Sequence, residues 1–201
     1  MKELIRNQGF AVTLLFLILI PVIFFAFISI MEITNVVQAG DMDMQEGMVL
    51  ATKASAEQVD MTYHSRNMFF VNPAQAINIY QKMIAYNLGL DEATLAPITD
   101  QYISPPRFCL LVYNGADTGA IANKKYQFDG TDLTDSLFEQ VGFPKTFIIQ
   151  DLDILVGAGE DSITLNEPGV IAVMQIDQKN LLGDGNRTIT RWAAAVIKTR
   201  N

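Results

Sequence analysis

One stretch decides what this chain can fold into. Phe10 to Ile30, FAVTLLFLILIPVIFFAFISI, contains no charged residue. As a helix rising about 1.5 Å per residue it spans about 30 Å, the thickness of a bilayer's hydrocarbon core. Its polar atoms are the hydroxyls of Thr13 and Ser29 and the backbone around Pro21. That proline removes one helical hydrogen bond, so a mild kink is expected, and in lipid the freed carbonyl calls for a partner such as a neighbouring helix.

Charge sets the expected orientation. Residues 1–9 carry Lys2 and Arg6 against Glu3. Positive residues flanking a membrane helix favour the cytoplasmic side. The N-terminus is therefore expected in the cytoplasm, with the C-terminal domain extracytoplasmic or on the cell surface. Residues 31–201 carry 12 Lys and Arg against 21 Asp and Glu, a balance of −9. Such an acidic domain does not suit phosphate backbones, which excludes nucleic acid as a partner.

A cleaved secretory signal is the competing reading, with Val37-Gln38-Ala39 as a small-residue cleavage site. The apolar run is longer than the 7–15 residues of a usual signal core, and the cut would fall well beyond it, after Glu32. A single-pass membrane helix fits better.

The helical pattern continues past the membrane. Val37, Met44, Met48, Ala51 and Ala54 recur three, four or seven apart, which predicts an amphipathic stalk. Gly40 and Gly47 lie within it and allow another backbone to approach closely. The division expected is a cytoplasmic leader at 1–9, a transmembrane helix at 10–30, a stalk helix at 31–66 and an extracytoplasmic α+β domain at 67–201.

Within that domain, Asn72-Pro73 opens a helix and Gly89 closes it, with Ala76, Ile77, Tyr80, Met83, Ile84 and Leu88 on one face. A short helix is expected from Asp91 to about Tyr102, interrupted near Pro97. From Arg107 the rhythm becomes that of strands. RFCLLVYN and KKYQF end at Asn114-Gly115 and Asp129-Gly130, both turn signals. Asp132 to Val141 reads as a short helix. KTFIIQ, Ser162–Leu165, Val170–Ile176 and Thr188–Ile197 read as strands, the last two joined by the tight turn Gly183-Asp184-Gly185-Asn186. The fold class expected is α+β: a long N-terminal helix, then helices packed on a mostly antiparallel sheet.

The chemistry-bearing residues form no site. His64 is the only histidine, and MTYHSRN around it matches no nucleophile motif. Cys109 is the only cysteine, so no intramolecular disulfide forms, and its apolar surroundings mark it as a small core residue. Asp129, Asp132 and Asp135 lack the spacing and closing Glu of a calcium loop. Turn formation by Asp129 and helix capping by Asp132 account for them. Asp151 and Asp153 read as an exposed strand end, and Gly157-Ala158-Gly159-Glu160 lacks a phosphate-loop lysine. Asn186-Arg187-Thr188 is a glycosylation sequon in form only. No zinc spacing exists. No catalytic residue, metal or cofactor is assigned, which points to a structural or binding module rather than an enzyme.

Arg6-Asn7-Gln8-Gly9, the apolar run, Pro21 near its middle and Glu32 eleven positions later together form a pattern. It resembles that of TadE-like pseudopilins, of the tight-adherence (Flp) branch of type IV pilus systems. The resemblance covers about the first 60 residues. It implies leader-peptidase cleavage between Gly9 and Phe10, and helix-mediated assembly around Pro21, Glu32, Gly40 and Gly47. It also implies other pilin-like subunits, platform proteins and an ATPase as partners, and no catalysis by the chain itself. One position departs from the pattern. Pilins carry a glutamate five residues after the cleavage glycine, where this chain has Leu14. A minor or accessory subunit accommodates that departure better than a major pilin. The residues alone leave a second function open: a single-pass anchored extracytoplasmic binding domain that does not assemble.

Overall fold

The computed structural model describes residues 2–60, 69–116, 121–152, 161–179 and 186–197. The chain forms two compact units, Met1–Gly40 and Asp41–Asn201. Helix α1, Lys2–Ala56, runs through both and includes Pro21 in its interior.

The second unit is built on a five-stranded sheet in the order β3-β2-β1-β6-β7, antiparallel throughout. Its strands are β1 Arg107–Tyr113, β2 Lys124–Phe128, β3 Leu133–Leu137, β6 Gly169–Lys179 and β7 Asn186–Val196. A separate hairpin pairs β4 Lys145–Ile148 with β5 Ser162–Leu165. The one-turn helix α3, Ile149–Leu152, follows β4. The α+β class is as expected, with helices and a mostly antiparallel sheet after the N-terminal helix.

Both faces of the sheet are covered, which explains the unbroken apolar runs of β1 and β6. Phe108, Leu110 and Val112 of β1 point with Val170, Ala172, Met174 and Ile176 of β6 to one side. They pack there under Met44, Met48 and Ala51 of α1 and Tyr80 and Ile84 of α2 (Pro73–Leu88). Leu111, Tyr113, Ile171 and Val173 point the other way, to Phe147, Ile149, Leu152 and Leu165. The register supports both faces, since Phe108 lies opposite Met174 and Leu110 opposite Ala172.

Helix α2 forms where its end signals place it. The Asn72 side chain accepts the Gln75 N–H, Pro73 takes the first helical position, and Gly89 at φ 65° closes the helix by donating to the Ala85 carbonyl. Its buried face, with Ala76, Ile77, Tyr80, Ile84, Ala85 and Leu88, is nearly the one the spacing predicts; Met83 packs at its margin.

Four local expectations need correction. The stalk helix expected to reach Arg66 ends at Ala56. Beyond it the backbone bonds elsewhere: Val59 bridges to Val71, Asp60 N–H donates to Phe70 O, and Asn72 N–H to Gln58 O. The Gln58 side chain donates to the orphan Ala54 carbonyl at 3.0 Å. Residues 61–66 lie outside the described residues.

No helix forms from Asp91 to Tyr102. Asp91 does cap, accepting N–H bonds from Ala93 and Thr94 and the Thr94 hydroxyl. The turn then stops, with Leu95 in the left-handed region at φ 56° and Pro97 bridged to Leu90.

Asp132–Val141 holds strand β3 rather than a helix. Its 3–4 spacing of Leu133, Leu137 and Phe138 is overridden by pairing with β2, in register Tyr126 to Asp135. An edge strand open on one side carries little of the alternation that would announce it. Asp132 accordingly caps no helix.

The strand expected in KTFIIQ ends at Ile148, because Ile149 turns into α3. The strands β5, β6 and β7 stand where expected. Gly183, Asp184 and Gly185 of the tight turn between β6 and β7 lie outside the described residues.

Candidate functional site

The feature that most needs a function is the apolar half of α1. Thr13–Glu32 is 20 residues long with a mean hydropathy of 3.0, near the N-terminus, and none of it is buried. This is one helix long and apolar enough to cross a membrane. Fifteen large apolar side chains between Leu14 and Met31 stand exposed, with Leu17 at 70% and Phe25 at 73%. Covering one such side chain is worth about 1.5–3 kcal/mol. Leaving all of them in water would exceed the whole net stability of a domain, about 5–15 kcal/mol.

Within this helix the candidate residues fall as follows. Gly9 and Phe10 lie inside α1, seven and eight positions from its start at Lys2 rather than at its boundary. Pro21 sits mid-stretch, where it has no N–H to give the carbonyl of Leu17. Thr34 returns its hydroxyl to the Ile30 carbonyl at 2.9 Å. Glu32 closes the stretch and is exposed. Gly40 is helical. Leu14 is exposed.

Gly47 is placed differently. Its Cα faces α2, with Asn87 and Leu88 against it, and Asn87 donates a 3.4 Å hydrogen bond to its carbonyl. Met44, Met48 and Ala51 are buried in the same core, while Val49 and Leu50 on the helix's other side remain 45% and 44% exposed. The stalk therefore has one face in its own domain and an apolar strip outside it.

The remaining chemistry-bearing residues are accounted for locally. Cys109 is buried, and its thiol donates to the Leu152 carbonyl at 3.4 Å. Asp129 accepts N–H bonds from Thr131 and Asp132, which hold its carboxyl below the usual range. Asp135 pairs with Lys124 at 2.6 Å across the β2–β3 edge. Asp151 is exposed in α3. Asn186, the first residue of the sequon, begins β7 and is exposed. His64, Asp153 and 157–160 lie outside the described residues. Among the described residues no three His, Cys, Asp or Glu side chains converge as metal ligands.

A buried amide network had no sequence signal beyond a turn. Asn114 clasps Val71, accepting its N–H at 2.8 Å and donating to its carbonyl at 3.0 Å. Asn123 accepts the Asn114 N–H at 2.6 Å and donates to the Gly115 and Glu139 carbonyls. Asn-Gly at 114–115 therefore fixes loops as well as reversing the chain.

No protein-family model matches this chain, and neither a characterised protein nor a solved structure does.

Proposed function

We propose that this chain is a membrane-anchored, pilin-like subunit, a minor pseudopilin of a type IV or Tad-like assembly, and not an enzyme. The observation that carries the reading is α1 itself. Helix α1 includes a 20-residue apolar stretch, and its later residues Met44, Met48, Ala51 and Ala56 enter the core of an antiparallel α+β domain. In this reading the stretch first sits in the bilayer and then packs against the same stretch of other subunits. Lipid gives no hydrophobic drive between helices, so packing and satisfied backbone groups must hold them. The Leu17 carbonyl, to which Pro21 has no N–H to give, and the exposed side chains of Val49 and Leu50 offer both. Lys2 and Arg6 keep the N-terminus cytoplasmic, the acidic domain is displayed outside, and platform proteins and an ATPase drive assembly.

Cysteine crosslinking in native membranes tests this. Leu17→Cys and Val22→Cys are expected to give dimers and higher ladders. Monomers alone, beside a pilin control that crosslinks, would overturn it. Intact mass of the extracted protein tests the leader, with loss of residues 1–9 expected and a retained Met1 counting against processing.

The second reading is a single-pass anchored binding domain that does not assemble. The packing of Gly47, Met44, Met48 and Ala51 against the chain's own domain favours it. The same crosslinking experiment separates the two.

A further inference from the structure

At one end of the sheet a cleft of about 450 Å³ opens between loops. Phe69, Phe70, Phe143, Pro168 and Ile197 give it apolar walls, and Glu167 is the one charged lining residue among the described residues. Its size falls in the range of small-molecule sites, about 300–1,000 Å³.

Both aromatic walls are anchored to the end of β1. The Phe143 ring lies directly on Gly115, where an added Cβ would meet the ring at 2.6 Å. It also meets the Tyr113 ring edge-on at 5.6 Å. The Tyr113 hydroxyl donates to the Val141 carbonyl and accepts the Val141 N–H, which fixes the loop carrying Phe143. On the other wall, Asn114 holds both backbone groups of Val71, the residue after Phe70. The walls are thus in place before anything binds, and little ordering remains to oppose binding.

Charge selects the ligand. Glu167 makes no hydrogen bond or ion pair among the described residues. Glu167 is exposed at the cleft, so a neutral apolar ligand gains nothing from its charge. An anion would be repelled. A cation gains the carboxylate's attraction and that of the ring faces, which are negative. The surrounding domain, at −9 over residues 31–201, adds a field of the same sign. We propose that this cleft binds a small organic cation with an apolar or aromatic body, its ammonium group beside Glu167 and its body between the phenylalanines. This holds whether or not the chain assembles through α1.

The test uses the full chain in maltoside micelles, with benzyltrimethylammonium as probe and phenylmethanesulfonate as its oppositely charged counterpart. Saturation-transfer NMR is expected to show the cation bound above the level in empty micelles, and the sulfonate not. Calorimetry is expected to show Glu167→Gln weakening the cation about fivefold, while Glu92→Gln, a carboxylate paired with Lys82 elsewhere, changes nothing. Phe143→Leu is expected to weaken it as well. Three results would each overturn the proposal: no transfer above empty micelles, equal binding of the sulfonate, or equal loss in Glu167→Gln and Glu92→Gln.

Discussion

The Cβ of Asn87 lies 3.1 Å from the point where a Cβ on Gly47 would stand, and Leu88 Cδ2 lies 3.3 Å from it. Helices α1 and α2 therefore meet at Gly47 with no room for a side chain. A glycine costs a helix about 1 kcal/mol against alanine, and the close approach offsets it. Gly47→Val forces the helices apart and is expected to lower stability by about 2–3 kcal/mol. Urea unfolding in micelles, followed by the single tryptophan, Trp192, measures this. An unchanged midpoint would mean that the helices do not meet there.

Tyr80 carries a buried hydroxyl with no hydrogen-bond partner among the described residues, while its ring meets Phe108 edge-on at 5.2 Å. An unpaired buried hydroxyl costs about 1–3 kcal/mol. Tyr80→Phe keeps the ring contact, loses that cost and is expected to raise stability by about 1 kcal/mol. The same substitution has a pH signature. Burial pushes Tyr80 ionisation far above its usual value, and burial followed by the Asp43 carboxylate pushes Tyr102 up to about 12. A raised folded value means full stability below the unfolded value of 10.0, lost as pH rises through the folded ones. The alkaline fall in melting temperature is expected to be shallower in Tyr80→Phe and in Tyr102→Phe than in the parent.

Acid acts through the turns. The Thr94 and Ala93 donors hold the Asp91 carboxyl below its usual range, as the Asp132 and Thr131 N–H groups do for Asp129. A depressed folded value gives stability that is present above the unfolded value of 3.8 and lost as pH falls through the folded one. Neither carboxyl is buried, so the effect is a change of slope. Asp91→Asn and Asp129→Asn keep an acceptor oxygen but no titration. Melting temperatures between pH 2 and 5 are expected to fall less steeply in the double variant. An identical slope would place acid sensitivity elsewhere.

These turns also show what the residue pattern could reveal. Asn72, Pro73 and Gly89 announce α2 because caps are local chemistry. The buried runs of β1 and β6 announce strands because each meets a neighbour on both faces. The apolar stretch of α1 is legible because the 21 uncharged residues of Phe10–Ile30 have few alternatives. Strand β3 is not legible, since Leu133 and Leu137 face water and only pairing with β2 makes them a strand. The end of α1 at Ala56 is set by Phe70 and Asn72, more than ten residues away. The cleft is hidden for the same reason: Phe70, Phe143, Glu167 and Ile197 come from four loops that meet only after the sheet forms.

Asn123 makes that dependence measurable. Fully buried, it satisfies the Asn114 N–H and the Gly115 and Glu139 carbonyls at once. Asn123→Leu leaves those three backbone groups without their partner, at an expected cost of about 3–5 kcal/mol. Asn123→Asp keeps the acceptor but turns a carboxylate oxygen onto the two carbonyls, and is expected to cost at least as much. A cost below about 1 kcal/mol for Asn123→Leu, read by urea unfolding, would show that the loops hold without it.

The apolar half of α1 makes the most direct claim on function. Leu17 and Phe24 lie seven residues apart on one side of the helix, 70% and 64% exposed. If lipid covers them, an arginine at each position opposes insertion by about 2.5–3.5 kcal/mol. Together Leu17→Arg and Phe24→Arg are expected to move much of the chain out of the carbonate-resistant membrane fraction. Leu17→Ile with Phe24→Leu preserves hydrophobicity and is expected to stay in it. Release of the unmodified chain by carbonate would contradict the anchor outright. If the double-arginine chain remains in the membrane but no longer crosslinks at Val22→Cys, the stretch faces other helices. The cost of the charges would then fall on assembly rather than on insertion.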